Sequence, residues 1–142
     1  MPALPLLNEP LADGVVALRE WRPVDRDALV EMANDETIQR WTRVPAPYTD
    51  RDADEWFALT RTTRAAGHQA AFAVVDPDHG ELLGSIDLRV NPADPAIGEL
   101  GYIVGPRARG RGVLRCYRPG RDGGRLDLTM YGRLCSDEPA GR

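Results

Sequence analysis

The fold of this chain is best predicted from residues 97–113, IGELGYIVGPRARGRGV. The first half predicts a strand interrupted by two glycines, and glycine inside a strand marks a bulge or the close approach of another molecule. A glycine-rich turn follows, with arginine at the alternate positions Arg107, Arg109 and Arg111. Glycines allow successive backbone N–H groups to converge on an anion, and arginine adds charge-assisted hydrogen bonds. These residues alone fit a phosphate or pyrophosphate site and, equally, a flexible basic loop.

Two helices are predicted upstream of this stretch. Asp25 is expected to cap the first, because apolar residues at helical spacing follow it. The second begins at Thr49, since Thr49 and Asp52 have the spacing of a capping box. Gly67 is its expected C-terminal stop. Between the two helices, residues 36–48 are less regular.

The remaining pattern predicts strands. Residues 15–21 form the first, and residues 70–75 and 82–90 flank the turn DPDHG, which is a strong hairpin signal. In the second arm of this hairpin Asp87 and Arg89 alternate with apolar residues, so one face is expected to be buried and the other to be wet. The order is therefore strand, two helices and three strands joined by short turns. We predict an α+β fold with a mostly antiparallel sheet and two N-terminal helices.

Charge is distributed unevenly along the chain. The 142 residues suffice for one domain, and the net charge of −4 includes 18 basic residues, all of them arginine. Residues 1–105 hold nine arginines against 18 acidic residues, whereas residues 106–142 hold nine against four. The last quarter therefore either meets an anion or is a different kind of sequence.

The composition excludes several classes of protein. Without lysine the chain has neither a Walker phosphate loop nor a Schiff-base nucleophile. No apolar run approaches the roughly 18 residues of a membrane helix, and the first 14 residues lack the basic start of a signal peptide. We therefore expect a cytoplasmic protein with no membrane partner. Cys116 and Cys135 are too few for a disulfide framework or a zinc site, and His68 and His79 are isolated, so no metal is expected.

The loop motif and the order of elements together resemble a known family. The pattern Arg107-x-x-Gly110-x-Gly112, directly after a strand containing Gly-Glu-Leu-Gly-Tyr, is similar to the acyl-CoA-binding signature of the GNAT acetyltransferase superfamily. It resembles most of all the RimJ/RimL type, which acetylates protein N-termini and related amines, and the resemblance runs over about residues 13–113. The dinucleotide-binding fingerprint is a poor alternative, because it needs a parallel βαβ unit.

The resemblance implies acetyl-CoA as co-substrate and a primary amine, on a protein N-terminus or a small molecule, as acceptor. The family's cradle would be formed here by backbone amides of residues 109–113, assisted by arginine side chains. The pantetheine arm would lie along Ile103 and Val104, with the Val104 N–H stabilising the thioester oxygen as the amine attacks. The implied cofactor-binding residues are Ile103, Val104, Arg107, Arg109, Gly110, Arg111, Gly112 and Val113.

Two further residues receive candidate roles from the resemblance. Glu99 is the candidate general base, acting directly or through water, because the attacking amine must be neutral. A solvated charge or a salt-bridge partner is the alternative interpretation of Glu99. Tyr102 is a candidate for lining the acceptor site, and the alternative is a core or sheet-face tyrosine.

After Val113 the sequence departs from the family pattern. The family continues with a long amphipathic helix, whereas here Pro119 and nearby glycines disfavour more than two helical turns. A short strand is predicted within residues 126–131. We divide the chain into residues 1–113, the N-terminal part of a GNAT domain, and residues 114–142, an atypical Arg/Gly-rich tail. We hypothesise that a frameshift or truncation leaves the C-terminal half of the fold missing, and we expect marginal stability and weak or absent activity.

Two other functions remain open from the sequence. One is a non-catalytic remnant that binds CoA or forms a homodimer through an exposed sheet edge. The other is nucleic-acid binding through the arginines of the tail. The second is disfavoured because the whole chain is acidic and only Tyr117 and Tyr131 are available there for stacking on bases.

Overall fold

The computed structural model describes residues 1–12 and 14–109, together with the backbone of Thr129 and Met130. Within these residues the helices are α1 (Arg26–Ala33), α2 (Glu36–Trp41) and α3 (Asp50–Ala65). The strands are β1 (Leu11–Ala12), β2 (Ala17–Arg19), β3 (Gln69–Val75), β4 (Leu82–Val90), β5 (Gly98–Val104) and β6 (Thr129–Met130). A 3-10 turn at Pro23–Asp25 precedes α1, and another at Pro106–Ala108 follows β5.

The strands form one sheet in chain order, from β1 to β6. Neighbours from β1 to β5 are antiparallel, whereas β6 runs parallel to β5. The predicted α+β fold with a mostly antiparallel sheet is therefore confirmed, and so are the three strands after the helices. The strand predicted within residues 126–131 is present as β6. The rest of the tail lies outside the described residues, so the division of the chain at Val113 stays a prediction.

The glycines of β5 do not mark a bulge. Strands β4 and β5 pair without interruption along the whole of β5, and the register shift lies elsewhere, at Val74 and Val75 between β3 and β4. Gly101 pairs with Asp87, and a Cβ at Gly101 would lie only 2.8 Å from Oδ1 of Asp87. The glycine therefore makes room for a side chain of the neighbouring strand.

The ends of α3 confirm the predicted capping chemistry. The Thr49 hydroxyl accepts the Asp52 N–H at 3.3 Å, and the Asp52 carboxylate accepts the Thr49 N–H at 2.7 Å, which is a reciprocal capping box. The helix ends at Ala65, and the chain turns away at Gly67 with a φ of +78°. A side chain rarely adopts this conformation, so Gly67 is the helix stop that the sequence predicts.

Two local predictions need correction. The stretch expected to be irregular contains α2, whose N-terminus is capped by Asp35 through an Ile38 N–H bond of 3.1 Å. Asp25 stands at the N-cap position of α1 without capping it. Its carboxylate instead accepts the Arg22 N–H at 2.8 Å and faces the guanidinium of Arg19, because that stronger donor lies within reach.

The helices cover one face of the sheet. On this face Ile103 packs against a buried cluster from α1, α2 and α3 that includes Leu29 and Met32. Tyr102 and Val104 pack on the other face, because successive side chains of a strand point to opposite sides. The buried cluster there consists of Val16, Val74, Leu83, Ile86 and Ala108. None of the helices in the described part of the chain is long and apolar enough to cross a membrane.

A bidentate ion pair joins β2 to the start of the helical layer. Arg19 donates from its two terminal nitrogens to Asp25 at 2.7 and 2.8 Å, and the two side chains are only 12% and 8% exposed. Burial by itself raises the pKa of Asp25, but the hydrogen bonds from Arg19 and Arg22 and their charges outweigh it. The pKa of Asp25 therefore lies below its ordinary value, and folding favours the ionised carboxylate.

We expect Asp25→Asn to lower the free energy of unfolding by about 3 kcal/mol, because it leaves the buried Arg19 charge unpaired. The contribution of Asp25 is fully present above about pH 4, near the pKa of an unfolded aspartate, and is lost as the pH falls through its folded pKa. Urea unfolding between pH 3 and 7 measures both effects. Asp27→Asn is the matched control, because that carboxylate lies two residues further on, in the first turn of α1, and is 93% exposed. Equal losses of unfolding free energy in Asp25→Asn and Asp27→Asn would contradict the stabilising role of the Arg19–Asp25 ion pair.

Candidate functional site

The chain leaves β5 through a tightly held turn. The Gly105 N–H donates to the Leu83 carbonyl at 2.8 Å, which continues the pairing with β4 beyond the end of the strand. The Ala108 N–H then donates to the Gly105 carbonyl at 3.0 Å and closes the 3-10 turn. Gly105 and Ala108 are buried, whereas Pro106 and Arg107 are exposed. The turn therefore presents its proline and first arginine to solvent while its ends are fixed to the sheet.

This pairing determines where the backbone donors of β5 point. In an antiparallel pair, N–H groups face the partner strand at every second residue. Because the Gly105 N–H bonds to β4 and the register is unbroken, the Ile103 N–H faces β4 and the Val104 N–H faces the opposite edge of β5, on which β6 pairs with Glu99 and Leu100. Of the two predicted pantetheine contacts, only Val104 thus has its N–H on the β6 side.

The predicted side chains on β5 are divided between the two faces of the sheet. Glu99 and Ile103 lie on the face of the helices, whereas Tyr102 and Val104 lie on the other. Glu99 is exposed and is separated from Val104 by five residues of extended strand, or roughly 16 Å. Tyr102 is half-buried and packs against the buried cluster on the sheet face opposite the helices, which agrees with its interpretation as a sheet-face tyrosine.

Glu99 borders a groove of about 670 Å³ at the end of the sheet away from the turn. The groove lies between the end of α3 and the strands β3, β4 and β5. Its polar lining consists of Thr63, His68, Gln69, Arg89, Asn91 and Glu99. Within the described residues, no group of three or more His, Cys, Asp or Glu side chains could hold a metal ion.

The two described arginines of the loop motif have different environments. Arg107 is 67% exposed and contacts two carboxylates, Glu31 at 2.9 Å and Glu81 at 3.5 Å. Arg109 is 25% exposed and holds Asp35 through its two terminal nitrogens at 2.5 and 3.4 Å. The other predicted loop residues, Gly110, Arg111, Gly112 and Val113, lie outside the described residues.

Asp35 connects this loop to α2. Its carboxylate accepts the Ile38 N–H that caps the helix and also accepts the guanidinium of Arg109. The hydrogen bond from Arg109 is the main reason why the pKa of Asp35 lies below its ordinary value; burial opposes it and the helix N–H groups add to it. Asp35 is therefore held as an anion between the loop and the helix N-terminus.

Sequence reasoning missed Asp87, which it placed on a wet face. The Asp87 side chain is only 16% exposed and accepts hydrogen bonds on Oδ2 from Gln69 at 3.0 Å and Arg89 at 2.8 Å. Oδ1 lies above Gly101. Burial is the main cause that raises the pKa of Asp87; Arg89 and Gln69 oppose it, and the charge of Glu99 adds to it. The glycine opposite Asp87 was the available signal, because a missing side chain allows a neighbour to fold over it.

Comparison with known proteins identifies the domain type. A family model described as an acetyltransferase (GNAT) domain matches residues 16–115, more than half of the chain. A Vibrio cholerae structure assigned as a ribosomal-protein-serine acetyltransferase is similar to it, with a TM-score of 0.64, 17% identity, and coverage of 76% of this chain and 61% of that one. By sequence alone, the chain has no significant match among functionally curated proteins.

Two structures that contain CoA are also similar. One is RimL, an α-N-acetyltransferase of ribosomal protein L7/L12, in complex with CoA, with a TM-score of 0.62, 13% identity, and coverage of 75% of this chain and 61% of that one. The other is a spermidine N-acetyltransferase from Vibrio cholerae with CoA and spermine, with a TM-score of 0.56, 21% identity, and coverage of 73% and 59%. The chain thus spans about three fifths of the length of the solved structures it resembles.

We expect Asp87→Asn to raise the free energy of unfolding at pH 7 by about 1 kcal/mol, as stabilising single substitutions commonly do. The reason is that a carboxyl whose pKa is raised by folding destabilises the folded state once it is ionised. In the unsubstituted chain its unfavourable contribution decreases as the pH falls through the folded pKa and is absent below the unfolded pKa of about 4. Urea unfolding at pH 4 and pH 7 tests this, with Asp78→Asn in the exposed turn as control. A loss of stability at pH 7 in Asp87→Asn alone would show that the carboxylate is structural.

Proposed function

This chain belongs to the GNAT acetyltransferase family, and on that premise we propose that it transfers an acetyl group from acetyl-CoA to a primary amine. The observation that supports this proposal is the orientation of the Val104 N–H, which faces the β6 side of β5 directly before the arginine turn. A backbone donor at the end of a strand suits the thioester oxygen of acetyl-CoA. The basic turn next to it suits the diphosphate of the same molecule.

The proposed reaction is a direct transfer with no acyl-enzyme. The neutral amine nitrogen attacks the thioester carbonyl carbon, so that a C–N bond forms and charge develops on the carbonyl oxygen. The Val104 N–H stabilises this oxygen. The C–S bond then breaks, CoA leaves as the thiolate, and the extra proton on nitrogen passes to a base. Ile103 contributes to this arrangement by fixing β5 to β4 and to the helical layer.

Two carboxylates are candidates for the base. Glu99 is the residue that the sequence favours, and its distance from Val104 requires a path through water. Asp87 lies nearer to the middle of β5, above Gly101, and its raised pKa is characteristic of groups that exchange protons.

We propose that the acceptor amine approaches on the side of Asp87 and Glu99, because both carboxylates attract a cationic amine before it loses its proton. Tyr102 packs on the opposite face, so its role at the acceptor is the weaker proposal.

The cradle for the diphosphate is proposed from the turn and the residues after it. Arg107 is exposed, and its carboxylate partners among the described residues lie at the surface, so a phosphate can replace them at little cost. Gly110, Arg111, Gly112 and Val113 are proposed to contribute backbone amides and one further guanidinium, as the family motif implies. The acceptor is proposed to be a protein N-terminus or a small polyamine-like molecule, because the named structural neighbours include enzymes for both.

The first test is acetyl transfer by the full chain. Purified protein is incubated with acetyl-CoA and a panel of N-terminal peptides and polyamines, and the release of CoA thiol is followed alongside calorimetric binding of acetyl-CoA. We expect micromolar binding and a weak thiol release that depends on one class of amine. Binding without release from any amine would favour a non-catalytic CoA-binding domain, and no binding at millimolar CoA would overturn the proposal.

We expect Val104→Pro to lower kcat at least about 100-fold relative to Val104→Ala, because removal of one oxyanion donor costs this much in comparable sites. Both variants lose the valine side chain, and only proline also removes the N–H. Proline is tolerated here because this N–H is not part of the ladder with β4, and the described pairing with β6 involves Glu99 and Leu100 at the other end of β5. Circular dichroism and urea unfolding check that the two variants fold alike. Equal kcat values in folded samples would refute the role of this donor.

A further inference from the structure

The two described arginines of the loop, Arg107 and Arg109, are held by carboxylates that differ in burial. Arg107 and Glu31 are 67% and 70% exposed, whereas Arg109 and Asp35 are 25% and 16% exposed. An exposed pair is worth at most about 1 kcal/mol, because water screens both charges and the long side chains lose entropy. A partly buried bidentate pair is harder to separate, because the remaining carboxylate would be left desolvated and unpaired.

These environments imply different roles for Arg107 and Arg109. If Arg109 turned its guanidinium towards a diphosphate, Asp35 would lose the hydrogen bond that chiefly keeps it ionised. The N-terminus of α2 would then be capped by a partly buried Asp35 carboxylate without its arginine partner, which is unfavourable. Arg107 can exchange a surface carboxylate for a phosphate without such a loss.

Resting on the proposed function, we infer that Asp35 is a positioning residue for acetyl-CoA binding: it fixes the chain at Arg109, directly after the turn that follows β5, while Arg107 is the arginine that contacts the diphosphate. Asp35 and Arg109 are 74 positions apart in the sequence. The same carboxylate caps α2, so the position of the loop is set by the helical layer as well as by the sheet.

The direction in which CoA affinity changes distinguishes a positioning role of Asp35 from a purely electrostatic one. Removal of a negative charge near an anion site strengthens anion binding when the charge acts only through Coulomb repulsion. Glu31→Gln removes such a charge and also one of the two carboxylates that hold Arg107, so we expect CoA to bind equally or up to about fivefold more tightly. Asp35→Asn removes a charge of the same sign, and we expect binding to be at least about tenfold weaker, because Arg109 loses its fixed position.

The test uses calorimetric titration of the full chain with CoA, and kinetics with acetyl-CoA and the best amine. Asparagine is a good N-cap, so Asp35→Asn keeps the hydrogen bond to Ile38, and Asp35→Ser serves as a second variant of this kind. We expect the KM for acetyl-CoA to rise in these variants, while the KM for the amine changes less than twofold. Arg109→Gln is expected to weaken binding similarly, and the double variant with Asp35→Asn to be no worse than either single variant. Arg107→Gln is expected to add its loss to that of Asp35→Asn.

The outcomes distinguish this inference from the proposed function. If the unsubstituted chain does not bind CoA, the proposed function fails and this inference falls with it. If the unsubstituted chain binds CoA and folded Asp35→Asn binds it equally or more tightly, only this inference is overturned, and Arg109 is then a direct diphosphate ligand. Additive losses in Asp35→Asn and Arg109→Gln would overturn it as well, because two residues that act as one unit are not additive.

Discussion

The unbroken register between β4 and β5 is the constraint on which the rest of the site depends. A shift of one residue would move every side chain of β5 to the other face and turn every N–H group to the other edge. In the observed register Gly101 lies beside Asp87, Ile103 packs under the helices, and the Val104 N–H points away from β4. The Gly105 bond to Leu83 extends the same pairing into the turn. The sheet thereby fixes the direction of a backbone donor as firmly as it fixes the core.

Asp25 and Asp87 show how the same residue type serves stability in one place and costs it in another. Both are largely buried, yet folding lowers the pKa of Asp25 and raises that of Asp87. The difference comes from their partners. Asp25 receives both terminal nitrogens of Arg19, whereas Asp87 receives one bond each from Gln69 and Arg89 on a single oxygen. A carboxylate that is incompletely paired and lies beside the proposed transfer strand is characteristic of function rather than of packing.

Local sequence patterns were sufficient for most of the fold and for little of the site. The capping box at Thr49, the stop at Gly67 and the hairpin between β3 and β4 each depend on residues a few positions apart, and all three are confirmed. The short helix α2 was missed because its capping aspartate has no strong periodic pattern behind it. Asp87 was placed in water because strand alternation predicts which face a residue is on and not what covers that face.

The loop arginines show most clearly what local sequence patterns cannot predict. The resemblance assigns Arg107 and Arg109 alike to the cradle, although only Arg107 is a defined position of the motif, and no other residue within ten positions of either distinguishes a ligand from a support. The distinction lies in Glu31 and Asp35, which α1 and the start of α2 bring to the loop from more than 70 positions away. Whether an arginine is available to an anion is therefore set by how deeply its carboxylate partner is buried, and burial is a property of the folded layers. In the proposed site the motif indicates where the diphosphate binds, and we infer that the packing at the start of α2 determines which guanidinium can reach it.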